Sequence, residues 1–237
     1  TTEIYTLSLH DALPIWQLAR FVERAALTFD EALPFFGKKG IVTGNPVRRE
    51  FFDIPAKERT STFHVLIFGG SQGARAINNA MIDALERLDP YVDRLTVTHQ
   101  TGEADFDAIH NAYLLSKFAG ADVRPFISDI FVEFGKADLI ICRAGATTCA
   151  EVSAAGKAAI MVPFPMAADD HQRKNAEALQ NAGAAKMILQ QDLSGERLAE
   201  EIAELIDSPA KIDEMESAAK ELGRPDAAAA TVDIIEE

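Results

Sequence analysis

A chain of 237 residues, 48% hydrophobic and 25% charged, holds enough material for one α/β domain with residues to spare, and this composition excludes disorder over most of its length. A formal net charge of -14 excludes nucleic acid as a partner for the molecule as a whole. A local basic patch can still hold one pyrophosphate, because a small anion reads the field only within a Debye length.

In chain order, residues 1–15 (TTEIYTLSLHDALPI) show neither caps nor periodicity and read as a translated adapter remnant foreign to the fold, with the native frame beginning near Trp16. Residues 16–55 lead through Gly44-Asn-Pro-Val-Arg48 towards the linker Pro55-Ala-Lys-Glu-Arg-Thr60. Beyond it, apolar runs alternate with amphipathic stretches, as in a parallel sheet with crossover helices. Strands are expected over 63–68, 95–98, 122–126, 139–142, 158–162 and 185–189, and helices over 74–88, 102–118, 128–136, 147–155 and 171–182. From Ser194 the pattern is helical and acidic, with new helices opening at Ser208-Pro209 and Arg224-Pro225. The expected architecture is α/β, a doubly wound parallel sheet. No run approaches the roughly 20 apolar residues of a membrane helix, and the first residues lack secretory-leader signals, so the cytoplasm is the expected compartment.

Ligands bind such sheets outside the carboxyl ends of the strands. Three turns rich in chemistry fall there, at 69–73, 143–148 and 163–172. Phe68-Gly-Gly-Ser-Gln-Gly-Ala-Arg75 is a strand end, a glycine turn and a helix start. Gly70 and Gly73 permit positive φ and close approach of a phosphate, which the free N–H groups and dipole of a helix end favour. It is neither GxGxxG nor a Walker A, and alone it reads equally as a packing turn.

Cys142-Arg-Ala-Gly-Ala-Thr-Thr-Cys-Ala-Glu151 is a second glycine turn opening a second helix. Thr147 and Thr148 read as helix caps or as ligands, and Glu151 as a ribose acceptor or a carboxylate favoured by the helix dipole. Asp169-Asp-His-Gln-Arg-Lys-Asn175 follows Pro163-Phe-Pro165, and dense polar chemistry at a strand end marks a ligand loop. Asp169, Asp170 and His171 could ligate a metal by residue type, but no further ligand cluster accompanies them. His99-Gln-Thr-Gly102 closes the second strand, where His99 reads as well as a buried structural histidine. The two cysteines, Cys142 and Cys149, have no CxxC spacing, so neither a disulfide scaffold nor a zinc site follows.

These motifs, in this order, resemble the donor-binding half of the MurG family, from about Trp16 to the C-terminus. The resemblance implies the Rossmann-like C-terminal half of a GT-B glycosyltransferase over residues 56–237. Residues 16–55 would then be a remnant of the acceptor domain and hinge. The implied reaction is inverting transfer of N-acetylglucosamine from UDP-GlcNAc to lipid I, forming lipid II for peptidoglycan at the cytoplasmic face of the plasma membrane. It implies that Ser71, with Gln72 and Gly73, holds the diphosphate against the second turn of Gly145, Ala146, Thr147 and Thr148. Glu151 would take the ribose, the Ile127 backbone the uracil edge, and Gln172, with His171 and Asp169 beside it, the sugar hydroxyls. Arg48 would lie near the nucleotide. No cofactor and no metal are implied. The acceptor site, general base and membrane contact are expected in an absent N-terminal half, so the chain alone is expected to be inactive. Ala150 departs from the family by replacing a small polar residue. Alternatives left open are another GT-B UDP-sugar enzyme, such as a UDP-GlcNAc 2-epimerase, and a non-catalytic UDP-sugar-binding module.

Overall fold

The computed structural model describes residues 6–7, 21–28, 33–70, 73–167 and 170–236, and contains two parallel sheets. The first is small: β1 (Thr6–Leu7), β2 (Ala25–Leu27) and β3 (Gly40–Val42) pair in that order, with α1 (Leu33–Phe36) between β2 and β3. β1 falls inside the segment expected to be foreign: Thr6 and Leu7 run beside Ala26 and Leu27, while the rest of residues 1–15 lies outside the described residues.

The second sheet is built from β4 (Phe63–Phe68), β5 (Leu95–Gln100), β6 (Asp122–Arg124), β7 (Leu139–Cys142), β8 (Ala159–Met161) and β9 (Ala185–Met187). Its spatial order is β6-β5-β4-β7-β8-β9, with every pair parallel. The crossover helices are α2 (Arg75–Ala84), α3 (Phe106–Leu114), α4 (Ile130–Lys136), α5 (Ala146–Ala155) and α6 (His171–Asn181). Then follow α7 (Gly195–Ile206), α8 (Pro209–Leu222) and α9 (Ala227–Glu236). The doubly wound architecture is as the sequence predicts, and the six expected strands are the six strands of this sheet.

The ends differ for local reasons. β5 runs on to Gln100 because His99 and Gln100 pair with Ile67 and Phe68. β6 stops at Arg124, since the following Pro125 has no N–H with which to continue the ladder. α3 begins at Phe106 rather than at 102, because Gly102 holds φ at +79° and residues Glu103–Asp105 form a 3-10 turn.

Alternation along the central strands covers both faces. Val65, Ile67, Leu139 and Ile141 point to a core shared with Ile77 and Met81 of α2 and Leu198 and Ile202 of α7. Leu66, Phe68, Ile140 and Cys142 point to the other, shared with Phe134 of α4, Val152 of α5 and Leu179 of α6. Two covered faces explain why these strands read as unbroken apolar runs. At the amino ends of the strands, the buried Asp138 accepts the His64 N–H at 2.7 Å and pairs with Lys57 and with Arg59 at 3.0 Å, tying the linker to β4 and β7.

His99 is fully buried in β5. Its Nε2 donates to Asn78 Oδ1 at 3.0 Å, and Nδ1 lies 3.1 Å from the Tyr113 hydroxyl. The orientation of Asn78 is set by its amide donating to Thr101 O at 2.9 Å and Asp105 Oδ2 at 3.1 Å, so the neutral imidazole is the fitting form. His99 is therefore the structural histidine allowed for by the sequence. Burial lowers its pKa from 6.5 to about 3. The unfolded chain thus binds the extra proton between those values. Stability from this site is full above about pH 6.5 and is lost on acidification towards about pH 3, by up to about 1.4 kcal/mol per pH unit. His99→Gln should be less stable at neutral pH but show a shallower acid dependence. Urea titrations from about pH 6.5 to 5 check this, and equal slopes in the two proteins would refute it.

Candidate functional site

β4 and β7 are neighbours, yet the chain leaves β4 towards β5 and β6 and leaves β7 towards β8 and β9. Their carboxyl ends therefore flank the topological switch point, where a crevice opens. A cavity of about 510 Å³ lies there, lined by Gly70 and Gly73, the first residues of α2, Arg143, Gly145, Thr148, Phe164, Gln172 and Gln190.

The chemistry of this crevice comes from helix ends without side-chain caps. The residues at the cap positions of α2 and α5 are Ala74 and Gly145, and neither side chain has an oxygen to accept the free N–H groups of the first turn. Both helices direct those donors and their positive dipole ends at one space, which is how proteins hold phosphates. Thr147 and Thr148 are therefore not the caps of α5. Gly73 is required by geometry: it holds φ at +75°, and a Cβ there would lie 1.9 Å from Thr101 O.

The residues expected at the site fall into groups. Gly73, Gly145, Thr148 and Gln172 share the cavity wall. Gln172 Oε1 accepts the Phe164 N–H at 3.0 Å, which turns its amide NH₂ outward. Ala146 is buried in the first turn of α5 and can offer only its backbone. Glu151 is half-buried and its carboxyl is raised above the usual range by burial, an effect opposed by the nearby Arg48. The Arg48 guanidinium sits 5.3 Å from the Phe51 ring centre and 5.8 Å from that of Phe131. Those two residues thus come together, but off the wall of the cavity. The buried Ile127 connects to the glycine turn through Gln100, which accepts its N–H at 2.8 Å and donates to Gly70 O at 2.8 Å.

Two of the expected residues lie off the wall of this cavity. Thr147 is exposed and meets Asn45 of the hinge at 3.4 Å. His171 is 2% exposed beneath the start of α6, away from the cavity wall. Ser71, Gln72 and Asp169 lie outside the described residues. The departure Ala150 lines a different cavity of about 250 Å³, between the hinge and helices α5, α6 and α8.

Arg143, Gln100 and Asn175 were not singled out from the sequence. Arg143 donates to Val162 O at 3.1 Å, Pro163 O at 3.3 Å and Gln190 Oε1 at 2.7 Å, and lies 5.4 Å from the Phe164 ring centre. Partial burial lowers its pKa. Asn175, almost fully buried, donates to Ala144 O at 3.0 Å and so fastens α6 to the turn after β7. All three stood within the quoted motifs. Their partners, distant in sequence, are what give them meaning.

A doubly wound α/β domain with a crevice between two uncapped helix ends is the class defined by this fold. Residues 64–231 match the glycosyltransferase family 28 C-terminal domain, and the chain belongs to that family. The UDP-N-acetylglucosamine--N-acetylmuramyl-(pentapeptide) pyrophosphoryl-undecaprenol N-acetylglucosamine transferase of Citrifermentans bemidjiense is 47% identical over 219 residues, covering 91% of this chain and 61% of that protein. The protein of the same name from Syntrophus aciditrophicus is 48% identical, over 91% of this chain and 60% of that one. The chain thus spans about three fifths of the curated relatives it matches. MurG of Acinetobacter baumannii superposes with a TM-score of 0.78 at 34% identity, over 93% of this chain and 62% of that one. A glycosyltransferase of Rickettsia africae, at 14% identity and a TM-score of 0.60 over 97% of this chain and 67% of its own, shares the fold alone.

Placing a carboxylate on the α5 cap tests the anion site. Gly145 has φ -64° and ψ 149°, open to any residue, and the nearest atom to a new Cβ is Thr148 Oγ1 at 3.9 Å. Gly145→Asp should leave unfolding free energy unchanged or raise it by a few tenths of a kcal/mol, while its charge fills the anion's place. Calorimetry should show pyrophosphate binding weakened by about tenfold or more. Undiminished binding would remove the end of α5 from the site.

Proposed function

We propose that this chain binds UDP-GlcNAc and forms the donor half of a transferase that passes GlcNAc to lipid I, giving lipid II at the cytoplasmic face of the plasma membrane. The observation that carries the reading is the convergence of two uncapped helix ends on one crevice at the switch point, in a chain of glycosyltransferase family 28. The names of its relatives supply the donor and the acceptor.

In this reading the diphosphate lies between the ends of α2 and α5, with Ser71, Gln72, Gly73 and the Gly145–Thr148 turn around it. Glu151 accepts the ribose hydroxyls, with Arg48 close by. The Ile127 backbone meets the uracil, and Gln172 the sugar. As the bond from the anomeric carbon to UDP breaks, the leaving diphosphate gains charge, and donors fixed before the reaction stabilise it without reorganising. The base that takes the acceptor's proton belongs, in this reading, to the acceptor half, together with the membrane-docking surface. Residues 16–55 are assigned to that half and the hinge. Among the described residues no helix is long and apolar enough to cross a membrane.

Titration of the 237-residue chain with UDP, UDP-GlcNAc and UDP-GalNAc is the test. UDP and UDP-GlcNAc should bind, and lipid II should not form without the acceptor half. Efficient transfer by the chain itself would overturn the division of labour, and failure to bind UDP would overturn the reading. Glu151→Ala should weaken UDP by about 1–3 kcal/mol through loss of charged hydrogen bonds. Gln172→Ala should remove most of the preference for UDP-GlcNAc over UDP-GalNAc, about tenfold, while sparing UDP. Unchanged discrimination would take Gln172 out of the sugar site.

A further inference from the structure

Among the described residues, the wall of the crevice carries two charged side chains, Arg75 and Arg143, and no carboxylate, in a chain whose net charge is -14. The two arginines are not equivalent. Arg75 is exposed, and Asp105 offsets its charge at 3.0 Å. Arg143 is half-buried, and all its partners among the described residues are neutral: the Val162 and Pro163 carbonyls, the Gln190 amide oxygen and the Phe164 ring. Elsewhere the chain treats such a group differently. Arg59, also half-buried, meets Asp138, Asp213 and Glu216.

Neutral acceptors hold a guanidinium in place but leave its charge standing. Taking a cation partly out of water costs free energy that carbonyl dipoles offset only in part, and burial is what lowers the pKa of Arg143. Three acceptors occupy at most three of its five N–H groups, so at least two can still donate. The anchors also fix where those donors stand. Val162 and Pro163 follow β8, Gln190 follows β9, and Arg143 itself follows β7, so three strand ends hold one guanidinium on the wall it shares with Gly145 and Gln172.

We propose that Arg143 is the fixed counter-charge of the crevice, donating its remaining N–H groups to the phosphate oxygens that the ends of α2 and α5 receive. The inference rests on the reading of the crevice as a phosphate site. In the proposed transfer the diphosphate gains charge as its bond to the anomeric carbon breaks, and a cation already in place favours that state over the bound donor. Arg143→Met removes both the charge and the forked donors. Arg143→Lys keeps the charge and loses the fork.

The test measures pyrophosphate affinity for the full 237-residue chain and both variants by calorimetry at low and high salt, with ligand-free unfolding to verify that each is folded. Arg143→Met should weaken pyrophosphate by about tenfold or more, and Arg143→Lys by no more than about threefold. Added salt should weaken binding less steeply in Arg143→Met than in the unmutated chain, because one attracting charge is gone, and as steeply in Arg143→Lys. A clamp that serves the loops alone gives another pattern, equal losses in both variants with the salt dependence unchanged. That result overturns the inference, as does undiminished binding in Arg143→Met. If the methionine variant fails to fold, the lysine variant carries the test, and a loss of about tenfold there overturns the inference. UDP separates this inference from the donor reading. A chain that binds pyrophosphate through Arg143 but not UDP upholds the inference and sinks the donor reading, whereas one that binds neither overturns both.

Discussion

The parallel pairing of β4 with β7 places Phe68 opposite Cys142, the last residue of each strand, so the two glycine turns begin at the same height on adjacent strands. Neither turn is an anion site alone. Side by side, they bring the ends of α2 and α5 to one crevice, and the opposed chain directions on either side keep a crossover from covering it. The same pair is fastened at its other end by Asp138, which precedes β7 and accepts from the backbone of β4 while holding Lys57 and Arg59 of the linker. A buried carboxylate is costly to desolvate and holds its place only with several donors, so its value lies in fixing an arrangement more than in adding stability. Register at the top and ion pairs at the bottom are two halves of one constraint.

How much of this was legible in the sequence depends on the range of the interaction. Strands such as Leu-Ile-Ile-Cys142 were legible because covering both faces leaves an unbroken apolar run, a local mark of a global position. Strand ends were less so, since the extension of β5 through Gln100 depends on its pairing with β4. The expected helix over 102–118 ran too long because its amphipathic pattern continued past a glycine held at positive φ.

The site divides in the same way. Glycine turns announce themselves, because Gly73 answers to a local backbone angle and to a contact that no other residue permits. Thr147 and Thr148 read two ways in the sequence, as caps or as ligands, and the cap alternative falls because the cap position belongs to Gly145. Gln100 and Arg143 were silent for another reason. A glutamine ending a strand carries no sign of which two loops it will join, and an arginine beside a glycine turn no sign that two carbonyls from the next strand will receive it.

The bare caps on α2 and α5 also bear on how long the protein survives. A helix whose first turn lacks a side-chain acceptor frays more easily, and here two such turns meet at one point. In the proposed reading the diphosphate completes both helices at once, and only the folded chain brings the two ends together to hold it. By mass action it then adds about 2.7 kcal/mol at a hundredfold excess over its dissociation constant. On that reading, resistance to proteases would rise with the supply of ligand.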